Sequence, residues 1–287
     1  MTFCTNTWLQ NRKRVHEGDQ PLDLPHGSPT ILRDVSGGAK MNVLVAVPVF
    51  NEERHLKKVL ADIVAHSPTA DVLVVDDGSS DATPQILKTI ADIDVLRHRR
   101  NMGYGQSLID AFSYASGNGY KWVITIDCDQ QHEPVKIPEF IDRAMLDQSD
   151  IISGSRYMHE LPRDGDPPAD RRMINMLMTQ VINRNLNLDL TDSFCGFKAH
   201  RVDAMADLRL TERGYAFPMQ FWVRAAQAGL KIEEHPVRLI YNDPNRHFGG
   251  QLDDPNRRLR HYLDLFFREI RQGEMLRMTT DTLAASG

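Results

Sequence analysis

Apolar residues alternate between strand-length and helix-length segments from Met41 to about residue 155. Short apolar runs such as Val43 to Val47 and Val72 to Val75 predict buried strands, whereas the apolar residues between 56 and 64 recur at helical intervals of three and four. Further strands are predicted at about 95–96, 122–126 and 151–152, and further helices at about 81–90, 104–116 and 134–146. This alternation predicts a parallel sheet with helices on both faces.

The pattern becomes less regular after Ser153, although it still predicts an α/β arrangement. The predicted elements are a polar, proline-rich loop at 158–170, a methionine-rich helix at 172–186, a loop at 191–198, a helix at about 218–228, a strand near Ile232 and a final helix from about Asn256. We therefore expect one α/β domain over residues 41–287.

Residues 1–40 differ in character from the rest of the chain. They are polar, contain Pro21, Pro25 and Pro29, and show no sustained apolar period. We interpret them as a flexible extension. The alternative is an arm that packs on the domain or on a second subunit.

Composition limits the classes of protein to which the chain can belong. Of its 287 residues, 41% are hydrophobic and 25% are charged, as in an ordinary globular protein, and the net charge of −5 argues against a general nucleic-acid-binding protein. Three cysteines without a CxxC pair argue against a disulfide framework and favour a reducing cytoplasm. No apolar stretch approaches the ~20 residues that span a bilayer, and we identify no signal peptide. We expect a cytoplasmic protein, with peripheral attachment to the inner face of the membrane as the alternative.

Polar and acidic residues cluster directly after three of the predicted strands. The clusters occupy residues 48–52, 76–81 and 127–132. Ligands of an open parallel sheet bind outside the carboxyl ends of its strands, so we expect the three clusters to meet at one crevice. The second cluster is also a suitable turn with a helix cap at Asp81, and that interpretation is compatible with a contact from Asp76 to a ligand.

The third cluster has the pattern of a metal site. Asp127 and Asp129 are two residues apart, so their side chains would point the same way on a regular strand. Two converging carboxylates repel each other unless a cation lies between them, and Mg²⁺ prefers carboxylates combined with water and substrate phosphates. Gln131 can add a neutral oxygen. The alternative is a pair of acids that cap the helix beginning near Pro134.

Six motifs together resemble a known family. They read VPVFNEE (47–53), VVDDGSSD (74–81), NMGYGQSL (101–108), IDCDQQHEP (126–134), GSRY (154–157) and DSFCGFK (192–198). The chain resembles the family 2 glycosyltransferases, and among them it is most similar to the dolichol- and polyprenyl-phosphate sugar synthases. The resemblance covers about residues 42–270 and implies a GT-A fold, a Rossmann-like and mostly parallel sheet flanked by helices on both faces.

The resemblance also implies substrates, a cofactor and site residues. The substrates would be a nucleotide-sugar donor and a lipid-phosphate acceptor, with a hydroxyl of a glycan or another soluble molecule as the alternative acceptor. Pro48, Phe50, Glu52 and Asp76 would contact the nucleoside, and Cys128 would line the same pocket. Asp127, Asp129 and Gln131 would hold Mg²⁺ or Mn²⁺ on the diphosphate, with Arg156 and Arg246 close to phosphate groups.

The reaction implied is one inverting displacement at the anomeric carbon, with the metal and the two arginines stabilising the leaving diphosphate. A phosphate acceptor needs no general base, whereas a hydroxyl acceptor does, and Asp192 is the candidate. The alternative role of Asp192 is a turn acid that holds the DSFCGFK loop.

Two departures from the family pattern bear on the acceptor. Phe194 and Cys195 stand where the family tends to have Thr-Ser, and Gln251 stands where it tends to have Ser-Lys.

The final helix also bears on the acceptor. Its apolar stripe and opposite basic side would suit a membrane surface, but the pattern favours a helix packed on the sheet with a solvated basic face. Two other classes of protein are alternatives to a glycosyltransferase: a sugar nucleotidyltransferase and a non-catalytic nucleotide-sugar-binding protein. A nucleotidyltransferase needs a glycine-rich basic loop after the first strand, which this chain lacks. The acidic pair argues against a non-catalytic binding protein.

Overall fold

The computed structural model describes residues 15–18, 42–158, 164–242 and 248–285. Within these ranges one mixed sheet contains β1 (Val15–Gly18), β2 (Val43–Val49), β3 (Asp71–Asp76), β4 (Asp94–His98), β5 (Trp122–Thr125), β6 (Ile151–Ser155), β7 (Lys198–Arg201) and β8 (Ile232–Pro236). The spatial order is β1-β4-β3-β2-β5-β7-β6-β8. Only β7 runs antiparallel to its neighbours, β5 and β6, among the described strands. The predicted GT-A-like α/β fold is confirmed.

The helices cover both faces of this sheet, as the alternating pattern predicts. They are α1 (Leu56–His66), α2 (Thr83–Leu87), α3 (Tyr104–Gly117), α4 (Ile137–Met145), α5 (Ala169–Leu186), α6 (Val202–Asp207), α7 (Phe217–Gln227) and α8 (Pro255–Ala285). Short 3₁₀ turns at Pro134–Lys136 and Gly250–Asp253 precede α4 and α8.

The core has two layers because successive residues of a strand point to opposite faces. Val43, Val45 and Val47 of β2 pack with α1, α2 and α4. Leu44 and Ala46 face the other way and pack with α3, α5, α6, α7 and α8. The continuous apolar strands of the sequence are therefore buried on both faces.

Three described elements were not predicted. Val15–Gly18 lies inside the segment interpreted as a flexible extension and pairs in parallel with Val95–His98. The rest of residues 1–40 lies outside the described ranges, so the flexible extension stays a prediction. The other two elements are β7, which falls largely beyond the predicted loop, and α6, which follows it directly.

The final helix packs on the protein through its apolar stripe. Tyr262, Leu265 and Phe266 are buried against the core layer that contains α7, and α8 also contacts α5. Its basic residues Arg257, Arg260, Arg268 and Arg271 are exposed. This arrangement is the packed helix with a solvated basic face, the second of the two interpretations of the sequence. Among the described residues, no helix is long and apolar enough to cross a membrane.

Candidate functional site

A cleft of about 540 Å³ opens at the carboxyl ends of β2, β3 and β5. Eight of the residues proposed from the sequence line it together: Pro48, Phe50, Glu52, Asp127, Cys128, Asp129, Gln131 and Arg156. The three polar strand ends therefore meet at one crevice, as expected. Arg246 lies outside the described residues.

Loop-to-loop hydrogen bonds fix the first two strand ends against each other. Asn51 adopts a left-handed conformation with φ of 56°, and its side-chain oxygen accepts a hydrogen bond from the backbone N–H of Ser80 at 2.8 Å. The Glu52 N–H donates to Thr83 Oγ1 at 3.0 Å, and the Glu53 N–H donates to Asp81 at 3.1 Å. These contacts hold the backbone of the FNEE segment, so its side chains are presented to the cleft by a rigid turn.

The structure separates the two adjacent acids at the end of β3. Asp76 is fully buried, accepts a hydrogen bond from the Ser79 N–H at 2.9 Å and lies 3.0 Å from Arg97 Nε. Asp77 lines the cleft instead. The Asp76 carboxylate, which we expected to contact a nucleoside, therefore does not line the cleft, because it points inward towards Arg97.

Asp77 belongs to a buried cluster that braces the next loop. Its two oxygens accept hydrogen bonds from the backbone N–H groups of Met102 at 2.7 Å and Gly103 at 2.8 Å. The His98 ring lies between Asp77 Oδ1 at 2.7 Å and Asp110 Oδ2 at 2.9 Å. Burial alone would lower the pKa of His98, but its hydrogen bonds to Asp110 and Asp77 raise that pKa to about 9. An imidazolium between two carboxylates thus holds the wall of the cleft.

This cluster predicts a pH-dependent loss of stability. The folded-state pKa lies above the ordinary value of 6.5, so the contribution is fully present below pH 6.5 and is lost as pH rises through about 9. We expect that contribution to reach about 3 kcal/mol, from 1.36 kcal/mol per pKa unit. Urea unfolding at pH 6, 7.5 and 9.5 measures it for wild type and for His98→Gln. The wild-type advantage over the variant should shrink across this range, and a constant difference would contradict the assignment.

Asp127 and Asp129 lie just beyond β5, the central strand of the cleft. Asp127 Oδ1 accepts a hydrogen bond from the Tyr104 hydroxyl at 3.1 Å, and its Oδ2 lies 3.2 Å from His132 Nε2. The Asp129 side chain accepts the Gln131 N–H at 2.9 Å. Neither acid caps the helix that follows, since Glu133 occupies the N-cap of the 3₁₀ turn and no side chain caps it or α4. The helix-cap alternative is therefore not the role that the structure shows.

The donor set suits a hard divalent cation. Carboxylate oxygens of Asp127 and Asp129 with the amide oxygen of Gln131 are ligands that Mg²⁺ and Mn²⁺ accept, leaving further positions for water and phosphate oxygens. The Gln131 amide nitrogen is buried without a hydrogen-bond partner in the described structure. No group of three or more His, Cys, Asp and Glu side chains is placed to hold a metal in the described ranges. A cation held by these groups would take its remaining ligands from water and phosphate oxygens, as Mg²⁺ commonly does.

Gly196 lies directly against the Asp127 carboxylate. A Cβ added at Gly196 would come within 2.2 Å of Asp127 Oδ2 and 2.8 Å of its Cγ. We expect Gly196→Ala to displace the carboxylate, because a side-chain end moves more readily than the backbone. Metal-dependent binding of a nucleoside diphosphate should weaken about 10- to 100-fold, the range for disturbing the support of a metal ligand. Calorimetry with and without Mn²⁺ measures the effect; unchanged affinity in a folded variant would show that the position of Asp127 is irrelevant.

Arg156 and Asp192 form a bidentate pair behind the opposite wall. Arg156 donates from Nε at 2.6 Å and from Nη2 at 2.9 Å to the fully buried Asp192 carboxylate. Asn175 and the Phe194 N–H also donate to this carboxylate, at 2.9 and 3.2 Å. Burial alone would raise the pKa of Asp192, but the charge and hydrogen bonds of Arg156 outweigh it and lower the pKa to about 2. Arg156 lines the cleft, and Asp192 lies behind it.

This geometry distinguishes between the two roles considered for Asp192. A carboxylate that accepts five hydrogen bonds and has a pKa of about 2 is a poor proton acceptor at neutral pH. Its bond from the Phe194 N–H is the turn contact expected of an acid that holds the loop. The structure therefore favours Asp192 as the residue that orients Arg156 and the DSFCGFK loop.

Several residues of the cleft were not proposed from the sequence. Tyr104 contacts Asp127, and Lys198 and His200 from β7 lie deep in the cleft. The guanidinium carbons of Arg171 and Arg258 lie 4.7 and 4.6 Å from the centroid of the Phe248 ring. Tyr104 and Lys198 carried a signal, since they stand inside the NMGYGQSL and DSFCGFK motifs. The others come from segments whose spacing does not indicate the cleft.

Comparison with known proteins places these features in a family. The model of Glycosyl transferase family 2 matches residues 44–209, more than half of the chain. An undecaprenyl-phosphate mannosyltransferase of Micrococcus luteus is 30% identical over 207 residues, which cover 70% of this chain and 84% of the relative. Glycosyltransferase AglD of Haloferax volcanii is 30% identical over 224 residues, 74% of this chain but 35% of AglD.

The fold also matches a solved structure. Glucosyl-3-phosphoglycerate synthase from Mycobacterium tuberculosis, in complex with Mn²⁺, uridine diphosphate and glucosyl-3-phosphoglycerate, superposes with a TM-score of 0.59. The match covers 80% of each chain at 17% sequence identity. At this identity the likeness concerns the fold.

Proposed function

The chain belongs to glycosyl transferase family 2 and is a glycosyltransferase that uses a nucleotide sugar, and we propose that it transfers the sugar to the phosphate of a polyprenyl phosphate. The pairing of Arg156 with Asp192 carries this proposal. It places a cation on the cleft and neutralises the acid that a hydroxyl acceptor would need as a base. The similarity to an undecaprenyl-phosphate mannosyltransferase supports the same acceptor class.

The donor end of the cleft is assigned to the loops after β2, β3 and β5. The Phe50 side chain is 43% exposed at the cleft and offers an aromatic face to a nucleobase. Pro48, Glu52 and Cys128 complete this wall. Asp77, rather than Asp76, is the acid at the end of β3 that would contact the nucleoside. Asp127, Asp129 and Gln131 would hold Mg²⁺ or Mn²⁺, which supplies positive charge to the donor diphosphate when bound.

Arg156 would bind the phosphate of the acceptor. Two of the five N–H donors of the Arg156 guanidinium bind Asp192, so three remain for phosphate oxygens. An acceptor phosphate is already anionic and attacks the anomeric carbon without losing a proton. The new bond forms between a phosphate oxygen and that carbon as the bond to the departing nucleoside diphosphate breaks, which inverts the anomeric configuration. Arg246 remains a candidate for a second contact with a phosphate.

The lipid chain of the acceptor would leave the cleft along α5. Arg171, Ile174 and Asn175 of this helix line the cleft. Met173 and Met176 of the same helix are 56% and 45% exposed and present apolar side chains at its surface. We propose that this face contacts the acceptor chain at the inner face of the membrane, with the exposed arginines of α8 near anionic lipid headgroups.

Transfer assays with two acceptor types test this function. A radiolabelled nucleotide sugar is incubated with Mn²⁺ and either a polyprenyl phosphate in detergent or a panel of soluble glycans. We expect label in the lipid phosphate fraction, and alkali or mild acid release would identify a glycosyl phosphate. Transfer to soluble hydroxyls alone would overturn the lipid-phosphate proposal and leave the glycosyltransferase assignment intact.

A further inference from the structure

The antiparallel strand β7 brings a lysine to the floor of the cleft. Lys198 begins this strand and pairs with Thr125, two residues before Asp127, and with Ser153, three residues before Arg156. Its side chain lines the cleft although the residue is only 7% exposed. Lys198 therefore lies between the proposed metal site and the proposed acceptor cation.

The charged groups around Lys198 are committed to other partners. Asp192 is paired with Arg156, and Asp127 accepts the Tyr104 hydroxyl and lies beside His132. No carboxylate in the described ranges lies within 4.0 Å of the Lys198 ammonium, whose hydrogen bond goes to the Cys195 carbonyl.

The two titratable neighbours of Lys198 supply no negative charge at neutral pH. Burial raises the pKa of the Cys195 thiol to about 11, so the thiol is protonated. Burial lowers the pKa of His200 well below its usual range, so the imidazole is neutral.

An ammonium in this position is costly without an anion. Burial disfavours its charged form and lowers the pKa of Lys198. The ammonium has three N–H donors, of which the Cys195 carbonyl takes one, and the face of the Trp222 ring, with its centroid 5.4 Å away, offers weak compensation. Two donors stay available towards the cleft. An anionic ligand would satisfy them and compensate the charge.

We propose that Lys198 binds a phosphate group of the substrate on the floor of the cleft. The inference rests on the proposed function, because both the donor and the proposed acceptor carry phosphate. The donor diphosphate and the acceptor phosphate present the same chemistry to an ammonium, and two binding experiments distinguish them.

Lys198→Met is the informative variant because methionine keeps an unbranched apolar stem over Trp222 and removes the charge, together with the N–H donor to the Cys195 carbonyl. Replacing an uncompensated buried charge with an apolar side chain is neutral or stabilising, so the melting temperature should stay equal or rise. Phosphate binding should weaken about 10- to 100-fold, the loss of a hydrogen bond to a charged group. Lys198→Arg should recover part of the affinity. Lys231→Met, an exposed lysine outside the cleft, is the matched control.

Two measurements identify the phosphate that Lys198 contacts. Calorimetry with UDP, GDP and dTDP in the presence of Mn²⁺ reports on the donor diphosphate, and the KM for farnesyl phosphate in the transfer assay reports on the acceptor. A loss in either, with an undiminished melting temperature, supports the inference and assigns the source. Wild-type values for both in Lys198→Met overturn it, as does a lowered melting temperature that accounts for the loss.

The outcome for the wild-type protein separates the two proposals. Wild-type protein that neither binds a nucleoside diphosphate nor uses farnesyl phosphate would overturn the proposed function and this inference together. A wild type that does both, beside an equally active Lys198→Met, would overturn the inference alone.

Discussion

Asp129→Asn is expected to lower the rate of sugar transfer about 100- to 1,000-fold, the scale on which single groups that stabilise transition-state charge contribute. Asp129 is 8% exposed, lines the cleft next to Asp127, and accepts the backbone N–H of Gln131. Asparagine keeps its shape and its acceptor oxygen but removes the negative charge that a divalent cation requires. The fold should survive, so the loss should be one of metal affinity and turnover.

The measurement for Asp129 is the turnover number as a function of Mn²⁺ concentration, with the melting temperature recorded beside it. Asp142→Asn changes an exposed acid on α4 outside the cleft and should leave both the metal dependence and the rate unchanged. Wild-type turnover and an unaltered Mn²⁺ requirement in Asp129→Asn would refute the metal assignment.

Asp192→Ala is expected to destabilise the protein by about 3–5 kcal/mol, because it leaves the mostly buried Arg156 guanidinium, whose side chain is 17% exposed, without its partner. The carboxylate is fully buried, and its pKa of about 2 lies below the ordinary 3.8. Its contribution is therefore present above pH 3.8 and is lost as pH falls through about 2. Transfer should also fall, since Arg156 loses the contacts that orient it.

A double variant separates the stability of this pair from its function. Replacing both members with apolar residues, as in Arg156→Met with Asp192→Leu, removes the unpaired charge and should recover much of the lost stability. Transfer should stay low, because the cation itself is gone. Urea unfolding and the transfer assay measure the two effects. If Asp192→Ala were as stable as wild type, or if the double variant transferred sugar normally, the positioning role of Asp192 would be wrong.

The sequence predicted which strand ends meet at the cleft, for a physical reason. Strands such as Val43–Val49 are buried on both faces, so their apolar runs are continuous and their ends are marked by polar residues. Because parallel strands end at one edge, the strand-end clusters come together in the cleft. Asp127, Asp129 and Gln131 could be found in this way from local spacing alone.

Other features of the cleft depend on contacts between distant residues, which spacing does not reveal. Arg156 and Asp192 are 36 residues apart, and His98 meets Asp77 across 21 residues. The strand β7 reads Lys-Ala-His-Arg, without the apolar run of a buried strand, because its buried lysine and histidine face the cleft. At the end of β3, spacing also does not reveal that Asp76 turns towards Arg97 while its neighbour Asp77 lines the cleft.

The central claim is that the acidic residues after β5 hold the diphosphate of a nucleotide sugar through a divalent cation. Calorimetric titration of wild type with UDP-, GDP- and dTDP-sugars, with and without Mn²⁺, tests it most directly, with Asp127→Asn beside it. We expect one nucleotide class to bind wild type tightly only with Mn²⁺, and Asp127→Asn to lose that metal-dependent part. Equal affinity with and without Mn²⁺, or the same binding by wild type and Asp127→Asn, would contradict the claim.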